Sequence, residues 1–271
     1  MNKKWLLVIA AVLLVLIIFI IVNIKKPGAS SVVNKGKAGS LSGIYNKAVS
    51  LEAKGDLQEA KSLYQKLVND FPNSREIANW QGKEEALNIK LLFSPILTPK
   101  SALYQIKPGD TLAKVAKEFK TTVELIMKSN NLTSDKIAPG RKIKVWTAPF
   151  SIVVDKSQNI LILKTDEEVI KTYIVSTGAN NSTPVGNFKI TNKLTNPTWF
   201  KAGAVVPANS PENILGTRWL GIDVPGYGIH GTTEPKNLGK QVTQGCVRMS
   251  NAEVEELYTI VPVGTEVTIV D

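Results

Sequence analysis

The chain has 271 residues, with 33 Lys and Arg against 23 Asp and Glu and a formal net charge of +10. This length predicts about two domains. The basic charge is compatible with nucleic acid, anionic lipid or an acidic wall polymer, and charge alone does not choose among them. A single cysteine excludes an internal disulfide, and one cysteine with one histidine supplies too few soft ligands for zinc. We therefore expect no metal and no cofactor.

An uninterrupted apolar run extends from Trp5 to Val22, with lysines on both sides. As a helix it would be about 27 Å long, close to the ~30 Å hydrocarbon core of a membrane. The apolar part of a cleaved signal peptide is shorter, about 7–15 residues, and small residues follow it. The sequence therefore predicts an uncleaved transmembrane anchor over residues 5–24. A cleaved signal and a buried core helix are the alternatives.

A Gly, Ser and Lys-rich stretch over residues 27–40 is typical of a flexible linker. Helical spacing follows over residues 41–93, and residues 41–74 resemble one tetratricopeptide repeat. The positions that carry this resemblance are Gly55, Ala60, Tyr64, Leu67 and Pro72. One repeat cannot bury its own apolar face well, so residues 75–93 are predicted to add a capping helix. We expect a spacer or a site for a protein partner, with an ordinary helical hairpin as the alternative interpretation.

Residues 103–147 predict a strand, two helices and a second strand. The turn Pro108-Gly109 precedes the first helix, and Asp110 or Thr111 is its expected N-cap. This stretch resembles a LysM domain, a family whose modules bind N-acetylglucosamine-containing glycans between two loops. The resemblance implies glycan contacts at six positions in those loops: Gly109, Asp110, Thr111, Ile137, Ala138 and Pro139.

Residues 150–271 contain short β-branched runs that are broken by polar turns. This pattern is typical of an antiparallel sandwich or barrel. Helical spacing returns only from Asn251 to Tyr258, and the last run, Gly264 to Val270, is expected to be an edge strand. The fold class predicted for the whole chain is therefore multidomain: a transmembrane helix, an α-helical hairpin, a βααβ module and a mainly β antiparallel sandwich.

His230 and Cys246 lie close together in a Gly-rich stretch of the last domain. A thiolate is the reactive form of cysteine, and only a few per cent of a free thiol is ionised at neutral pH. A nearby imidazole would supply the missing base. Gly231 and Gly245 flank the pair, where glycine permits close approach of the backbone to a ligand. The non-catalytic alternative is a buried structural cysteine and an unrelated histidine.

The residues around this pair resemble the catalytic block of the L,D-transpeptidases, the YkuD-type cysteine enzymes that cross-link peptidoglycan. Their motif Ser/Thr-His-Gly-Cys-aliphatic-Arg reads Thr-Gln-Gly-Cys-Val-Arg here, over residues 243–248. Gln244 replaces the family's second histidine, which is not the general base. The segment Thr-Pro-Val-Gly-Asn-Phe at residues 183–188 resembles a second family motif.

The resemblance implies that Cys246 forms an acyl-enzyme, that His230 is the general base and that Arg248 orients the substrate carboxylate or the loop. A backbone carbonyl near Gly231 is expected to hold the imidazole, and the amides of Gly245 and Cys246 to bind the oxyanion. The implied partner is peptidoglycan, through its stem peptides at the active site and its glycan strands at the LysM module.

The expected function is thus a membrane-anchored L,D-transpeptidase. An L,D-carboxypeptidase with the same residues and a non-catalytic wall-binding protein are the alternatives. The anchor would make the protein a single-pass component of the bacterial cell membrane, with its C-terminal domains facing the wall, and no nucleic acid is expected as a partner.

Overall fold

A computed structural model describes residues 35–201, 203–208 and 210–271. The predicted anchor, residues 5–24, lies outside these described residues. Within them, no helix combines the length and the apolar content needed to cross a membrane. The chain divides into two compact units, one ending at Asn88 and the other extending from Ile89 to Asp271.

The first unit is helical. It contains α1 (Lys35–Lys54), α2 (Leu57–Asp70) and most of α3 (Ile77–Leu92), so residues 35–40 of the predicted linker are helical. Gly55 has a φ of +88°, which suits the tight turn between α1 and α2. Ala60, Tyr64 and Leu67 are fully buried on one face of α2. Three of the positions that carry the repeat resemblance therefore lie on the buried face of α2.

The second unit begins with a βααβ module, as predicted. Its elements are β1 (Ser101–Gln105), α4 (Leu112–Glu118), α5 (Val123–Ser129) and β2 (Lys142–Trp146), and β1 pairs antiparallel with β2. The Thr111 and Thr122 side chains accept hydrogen bonds from the helix amides of Lys114 and Leu125. Two β-hydroxyl N-caps therefore start the two short helices.

Asp110 is not the N-cap of α4, because Thr111 has that role. The Asp110 carboxylate instead accepts hydrogen bonds from the Tyr104 hydroxyl and the Lys107 amide, both at 2.8 Å. These bonds lower the pKa of Asp110, first through the Lys107 amide and then through Tyr104. Asp110 thus stabilises the loop that presents Gly109, which has a φ of +84°.

The remaining strands of the second unit surround one helix, α6 (Asn251–Ile260). They are β3 (Phe150–Asp155), β4 (Ile160–Thr165), β5 (Glu168–Ile174), β6 (Thr177–Gly178), β7 (Gly186–Thr195), β8 (Trp199–Lys201), β9 (Ala204–Val206), β10 (Arg218–Ile222), β11 (Gly228–His230), β12 (Gln241–Thr243), β13 (Val247–Arg248) and β14 (Glu266–Val270).

The expected antiparallel sandwich was wrong. Eight strands form one mixed sheet in the order β13-β11-β10-β7-β14-β3-β4-β5, and two short two-stranded sheets, β12-β6 and β8-β9, accompany it. Neighbours are parallel at β11-β13 and β14-β3. The last strand, β14, is not at the edge either, because it pairs with both β3 and β7. Alternation within one strand reports its buried face and carries no information about its neighbours.

The LysM module and the mainly β domain share a hydrophobic core. Leu125 of α5 and Trp146 of β2 are buried in the same apolar cluster as the sheet residues and the inner face of α6. Trp146 stacks on Phe150 with ring centroids 5.5 Å apart and an interplanar angle of 11°. The Thr122 hydroxyl also donates to the Thr259 carbonyl at the end of α6. The N-terminus of α5 is therefore fixed on the C-terminal turn of α6.

Two adjacent residues of α5 belong to different hydrophobic cores, one shared with the β domain and one within the LysM module. Leu125 and Ile126 are each 1% exposed, but Ile126 packs in a separate cluster within the LysM module. Leu125→Ala should destabilise the β domain, by about 2–5 kcal/mol, because its cavity opens beside α6.

The measurement is hydrogen–deuterium exchange of α6 and β3, with Ile126→Ala as the matched control. Exchange should accelerate in both elements with Leu125→Ala, whereas Ile126→Ala should affect mainly the LysM peptides. Equal exchange in the two variants would contradict the shared core.

Candidate active site

The predicted catalytic residues meet at the β13-β11-β10 end of the large sheet. His230 ends β11, and its neighbour across the parallel pair is Arg248 of β13. Cys246 lies in the loop just before β13. The Met249 amide donates to the His230 carbonyl at 2.8 Å, which fixes the register of the two strands. Pairing of β11 with β13 therefore brings His230 next to Arg248, although the two residues are far apart in the sequence.

Gly245 has a conformation that other residues rarely adopt, with a φ of +130°. A Cβ at this position would lie 2.5 Å from the Tyr227 ring and 3.1 Å from the Ser182 carbonyl oxygen. Any side chain here would therefore push the aromatic ring away from the thiol loop. Gly245 is required for the shape of the loop as well as for its backbone conformation.

His230 is held by the backbone, as expected. Its Nδ1 lies 2.7 Å from the Gly231 carbonyl oxygen. A carbonyl can only accept a hydrogen bond, so Nδ1 carries the proton when the imidazole is neutral. The lone pair of the neutral ring is then on Nε2. The Trp219 indole stacks on the ring, with centroids 5.9 Å apart, and fixes its plane.

Burial keeps this imidazole neutral. The side chain is 2% exposed, and desolvation lowers the pKa of His230 to about 4, with a smaller contribution from the Arg248 charge. Hydrogen bonding to the Gly231 and Leu215 backbone offsets part of this shift. Because the folded pKa is depressed below 6.5, His230 disfavours the folded state increasingly as pH falls from about 6.5 towards 4. At neutral pH the ring is an unprotonated base.

Burial acts in the opposite direction on the thiol and raises the pKa of Cys246. The Gly228 amide and the Arg248 charge favour the thiolate and offset part of this effect. The Cys246 Sγ also lies 3.5 Å from the Gly226 carbonyl oxygen. Burial therefore favours the neutral form of both groups, a thiol and an unprotonated imidazole.

One nitrogen of the Arg248 guanidinium is paired with a carboxylate, and another has no partner among the described residues. Its Nη1 lies 3.3 Å from the Glu234 carboxylate, while its buried Nε has no hydrogen-bond partner among the described residues. The main chain of Arg248 is clamped by two hydrogen bonds with Ser176, of 2.8 and 2.9 Å. A buried guanidinium with an unused donor is suited to bind an anionic group of a ligand.

The predicted catalytic side chains line a cleft of about 650 Å³. Its walls are partly aromatic, and His230, Cys246, Arg248 and the exposed Gln244 line it together. The full lining consists of Leu194, Pro197, Thr198, Trp199, Phe200, Ile214, Leu215, Trp219, Gly226, Tyr227, His230, Val242, Thr243, Gln244, Cys246 and Arg248. The volume is in the range of cavities that bind small organic ligands.

The Gly245 amide is not free for an oxyanion, contrary to the expectation. It donates to the Thr243 hydroxyl at 3.2 Å, and that hydroxyl donates to the Cys246 carbonyl at 2.6 Å. Thr243 thereby closes the thiol loop on itself. The Cys246 amide is the remaining candidate of the two expected donors.

Sequence reasoning missed the residue that supports the histidine loop. The Asn251 side-chain oxygen, at the start of α6, accepts hydrogen bonds from the Thr217 and Thr232 amides at 3.2 and 3.0 Å. A Cβ on Gly231 would collide with this same oxygen. Asn251 directly follows the N-cap Ser250, so it resembles an ordinary helix-start residue in the sequence.

The six predicted glycan contacts lie on two neighbouring loops of the LysM module. Backbone hydrogen bonds join these loops, from the Gly140 amide to the Ile106 carbonyl and from the Ile106 amide to the Arg141 carbonyl. Gly109, Thr111, Ala138 and Pro139 are exposed, and Asp110 and Ile137 are half-buried. The loops therefore present accessible backbone and side-chain groups on one edge of the module.

The chain is similar in sequence to L,D-transpeptidases. The family model described as an L,D-transpeptidase catalytic domain, YkuD, matches residues 149–269. YkuD of Bacillus licheniformis, named as an L,D-transpeptidase, is 35% identical over 175 residues, which cover 62% of this chain and 98% of the relative. The chain belongs to the YkuD family of L,D-transpeptidases.

A second relative, YqjB of Bacillus subtilis, also carries the L,D-transpeptidase name. It is 42% identical over 126 residues, which cover 44% of this chain and 70% of YqjB. Models for a LysM domain and a tetratricopeptide repeat match residues 104–146 and 43–74. The solved L,D-transpeptidase of Mycobacterium smegmatis is 22% identical, with a TM-score of 0.39 over 49% of this chain and 64% of that chain. The family assignment rests on the sequence relatives.

Proposed function

We propose that the protein is a peptidoglycan L,D-transpeptidase in which Cys246 is the nucleophile and His230 the general base. The observation that carries the proposal is the hydrogen bond between His230 Nδ1 and the Gly231 carbonyl, in the cleft that Cys246 also lines. The Nε2 of His230 is then the only basic ring atom. A positioned base of this kind activates a thiol that would otherwise remain protonated.

In the first half-reaction, Nε2 takes the thiol proton as sulfur attacks the carbonyl carbon of the third stem residue. The tetrahedral intermediate collapses, the bond to D-Ala breaks, and the imidazolium returns the proton to the departing amine. A thioester remains on Cys246. The Cys246 amide is the proposed oxyanion donor, and Arg248 is the proposed site for a substrate carboxylate.

In the second half-reaction, the amine of a neighbouring stem attacks the thioester. His230 takes a proton from the attacking amine and passes it to the departing thiolate, so the resting pair is regenerated. Water in place of the amine would give the carboxypeptidase reaction. The choice between the two reactions depends on which nucleophile reaches the thioester first.

We propose that the LysM loops bind the glycan strand and that the apolar run at residues 5–24 anchors the protein in the bacterial membrane, with the cleft facing the wall. The LysM match and the accessible loops around Gly109 and Ala138 support the first proposal. The length of the apolar run and the wall chemistry of the family support the second.

Mass spectrometry of the reaction products tests the function. Purified protein with disaccharide tetrapeptides that carry diaminopimelate or lysine should yield cross-linked dimers and free D-Ala. Cys246→Ala should abolish turnover, because the thiol forms the intermediate. Trimmed monomers alone would indicate the carboxypeptidase, and no product would indicate the non-catalytic alternative.

Replacement of the base should make acylation dependent on alkaline pH. The wild-type rate should have no histidine inflection between pH 6 and 8, since the pKa of His230 is about 4. His230→Gln should reduce acylation by a carbapenem at pH 7 by about 10²–10⁴. The rate should then rise at alkaline pH as the thiol, whose pKa is raised by burial, begins to ionise. A mutant with the wild-type rate at pH 7 would refute the role of the base.

A bulky side chain in the glycan loops should weaken wall binding. Ala138→Trp places a bulky ring at an exposed position of the second loop and should reduce co-sedimentation with purified peptidoglycan by about tenfold. Lys117→Trp, on the exposed face of α4, is the matched control. Equal binding by both variants would place the glycan site elsewhere.

A further inference from the structure

One wall of the cleft comes from a hairpin with little support of its own. Strands β8 and β9 pair only with each other among the described strands. Trp199 and Phe200 of this hairpin line the cleft, yet Phe200 is 75% exposed and Val205 is 64% exposed. An isolated two-stranded hairpin is only marginally stable in water. Val206, at the end of β9, is 4% exposed, so apolar burial supports one end of the hairpin and polar contacts at its base must add to that support.

The Asn213 side chain connects both ends of this hairpin. Its amide nitrogen donates to the carbonyl of Pro197, before β8, at 2.9 Å. The same nitrogen lies 3.4 and 3.2 Å from the carbonyls of Val206 and Pro207, at the end of β9. The side chain is 2% exposed, so water does not compete for these bonds.

The side-chain oxygen of Asn213 is bonded to the segment beside His230. The Asn213 side-chain oxygen accepts a hydrogen bond from the Leu215 amide at 3.0 Å. Leu215 lines the cleft, and its backbone interacts with the His230 imidazole. One buried side chain thus joins the base of the hairpin to the segment beside the histidine.

We propose that Asn213 is a positioning residue that holds the β8-β9 hairpin over the cleft and thereby determines the affinity for the peptide substrate. Its hydrogen bonds are all to backbone groups, three of them at the ends of the hairpin and one at Leu215, so loss of the hairpin bonds acts on substrate binding rather than on proton transfer. Loss of its two N–H donors leaves the carbonyls at both ends of the hairpin without their shared partner. The substrate part of this inference rests on the proposed function.

The test combines kinetics with hydrogen–deuterium exchange. Asn213→Ala should raise KM for the tetrapeptide substrate by about tenfold and change kcat by less than about threefold, the pattern expected when only binding is lost. Exchange in the β8 and β9 peptides should accelerate. Alkylation of Cys246 by iodoacetamide, a small reagent that does not need the hairpin, should keep its wild-type rate.

Asn130 of the LysM module offers a matched control. Its side chain likewise bridges several backbone groups, including the Ile126 and Lys144 carbonyls and the Lys144 amide. Asn130→Ala should lower the thermal midpoint without raising KM. Asn213→Asp, which keeps the shape and the acceptor for Leu215, is the second variant if the alanine substitution prevents folding, and it should also raise KM.

Unchanged exchange in β8 and β9 would overturn the positioning role. Faster exchange with an unchanged KM would overturn the link to substrate affinity, and an equal rise of KM in Asn130→Ala would reduce the effect to general destabilisation. If the wild type processed no stem peptide, the proposed function would fail, and the exchange result would still decide whether Asn213 holds the hairpin.

Discussion

The hydrogen bond from His230 to the Gly231 carbonyl is the interaction on which the active site depends. It assigns the proton to Nδ1 and leaves Nε2 as the acceptor. Burial complements it, since a ring with a pKa of about 4 does not become protonated near pH 7. Without the carbonyl, the neutral ring could carry its proton on either nitrogen, and one of the two tautomers has no lone pair for a thiol.

The positive charge of Arg248 acts on both His230 and Cys246. Its charge adds to the effect of burial in lowering the pKa of His230 and offsets part of the effect of burial in raising the pKa of Cys246, so it disfavours the imidazolium and favours the thiolate. Proton transfer from sulfur to the ring would therefore be followed readily by return of the proton to a leaving amine. A strongly basic histidine would hold the proton instead. Burial of both groups beside one fixed cation is thus suited to a reaction in which the proton moves twice.

Local patterns in the sequence predicted many of the individual helices and strands. The helices and strands of the LysM module and one of the two N-cap candidates of α4 depend on nearby residues, and they were predicted. The sheet was not, because pairing between β14, β3 and β7 joins residues far apart in the chain. The candidate thiol and its proposed base were recognised through a motif. Asn213 and Asn251 were not, since each acts through backbone groups that only the fold brings within reach.

Helix α6 contacts both the LysM module and the loop of the proposed catalytic base. Its first residue, Asn251, holds the amides of Thr217 and Thr232 around the histidine loop, and its last turn receives the Thr122 hydroxyl of the LysM module. Leu125 and Trp146 extend the same core into that module. A module joined by a flexible linker would only raise the local concentration of substrate. A module packed into the catalytic core also fixes the orientation of its glycan loops relative to the cleft, so a bound strand would present its stem peptides from a restricted set of directions.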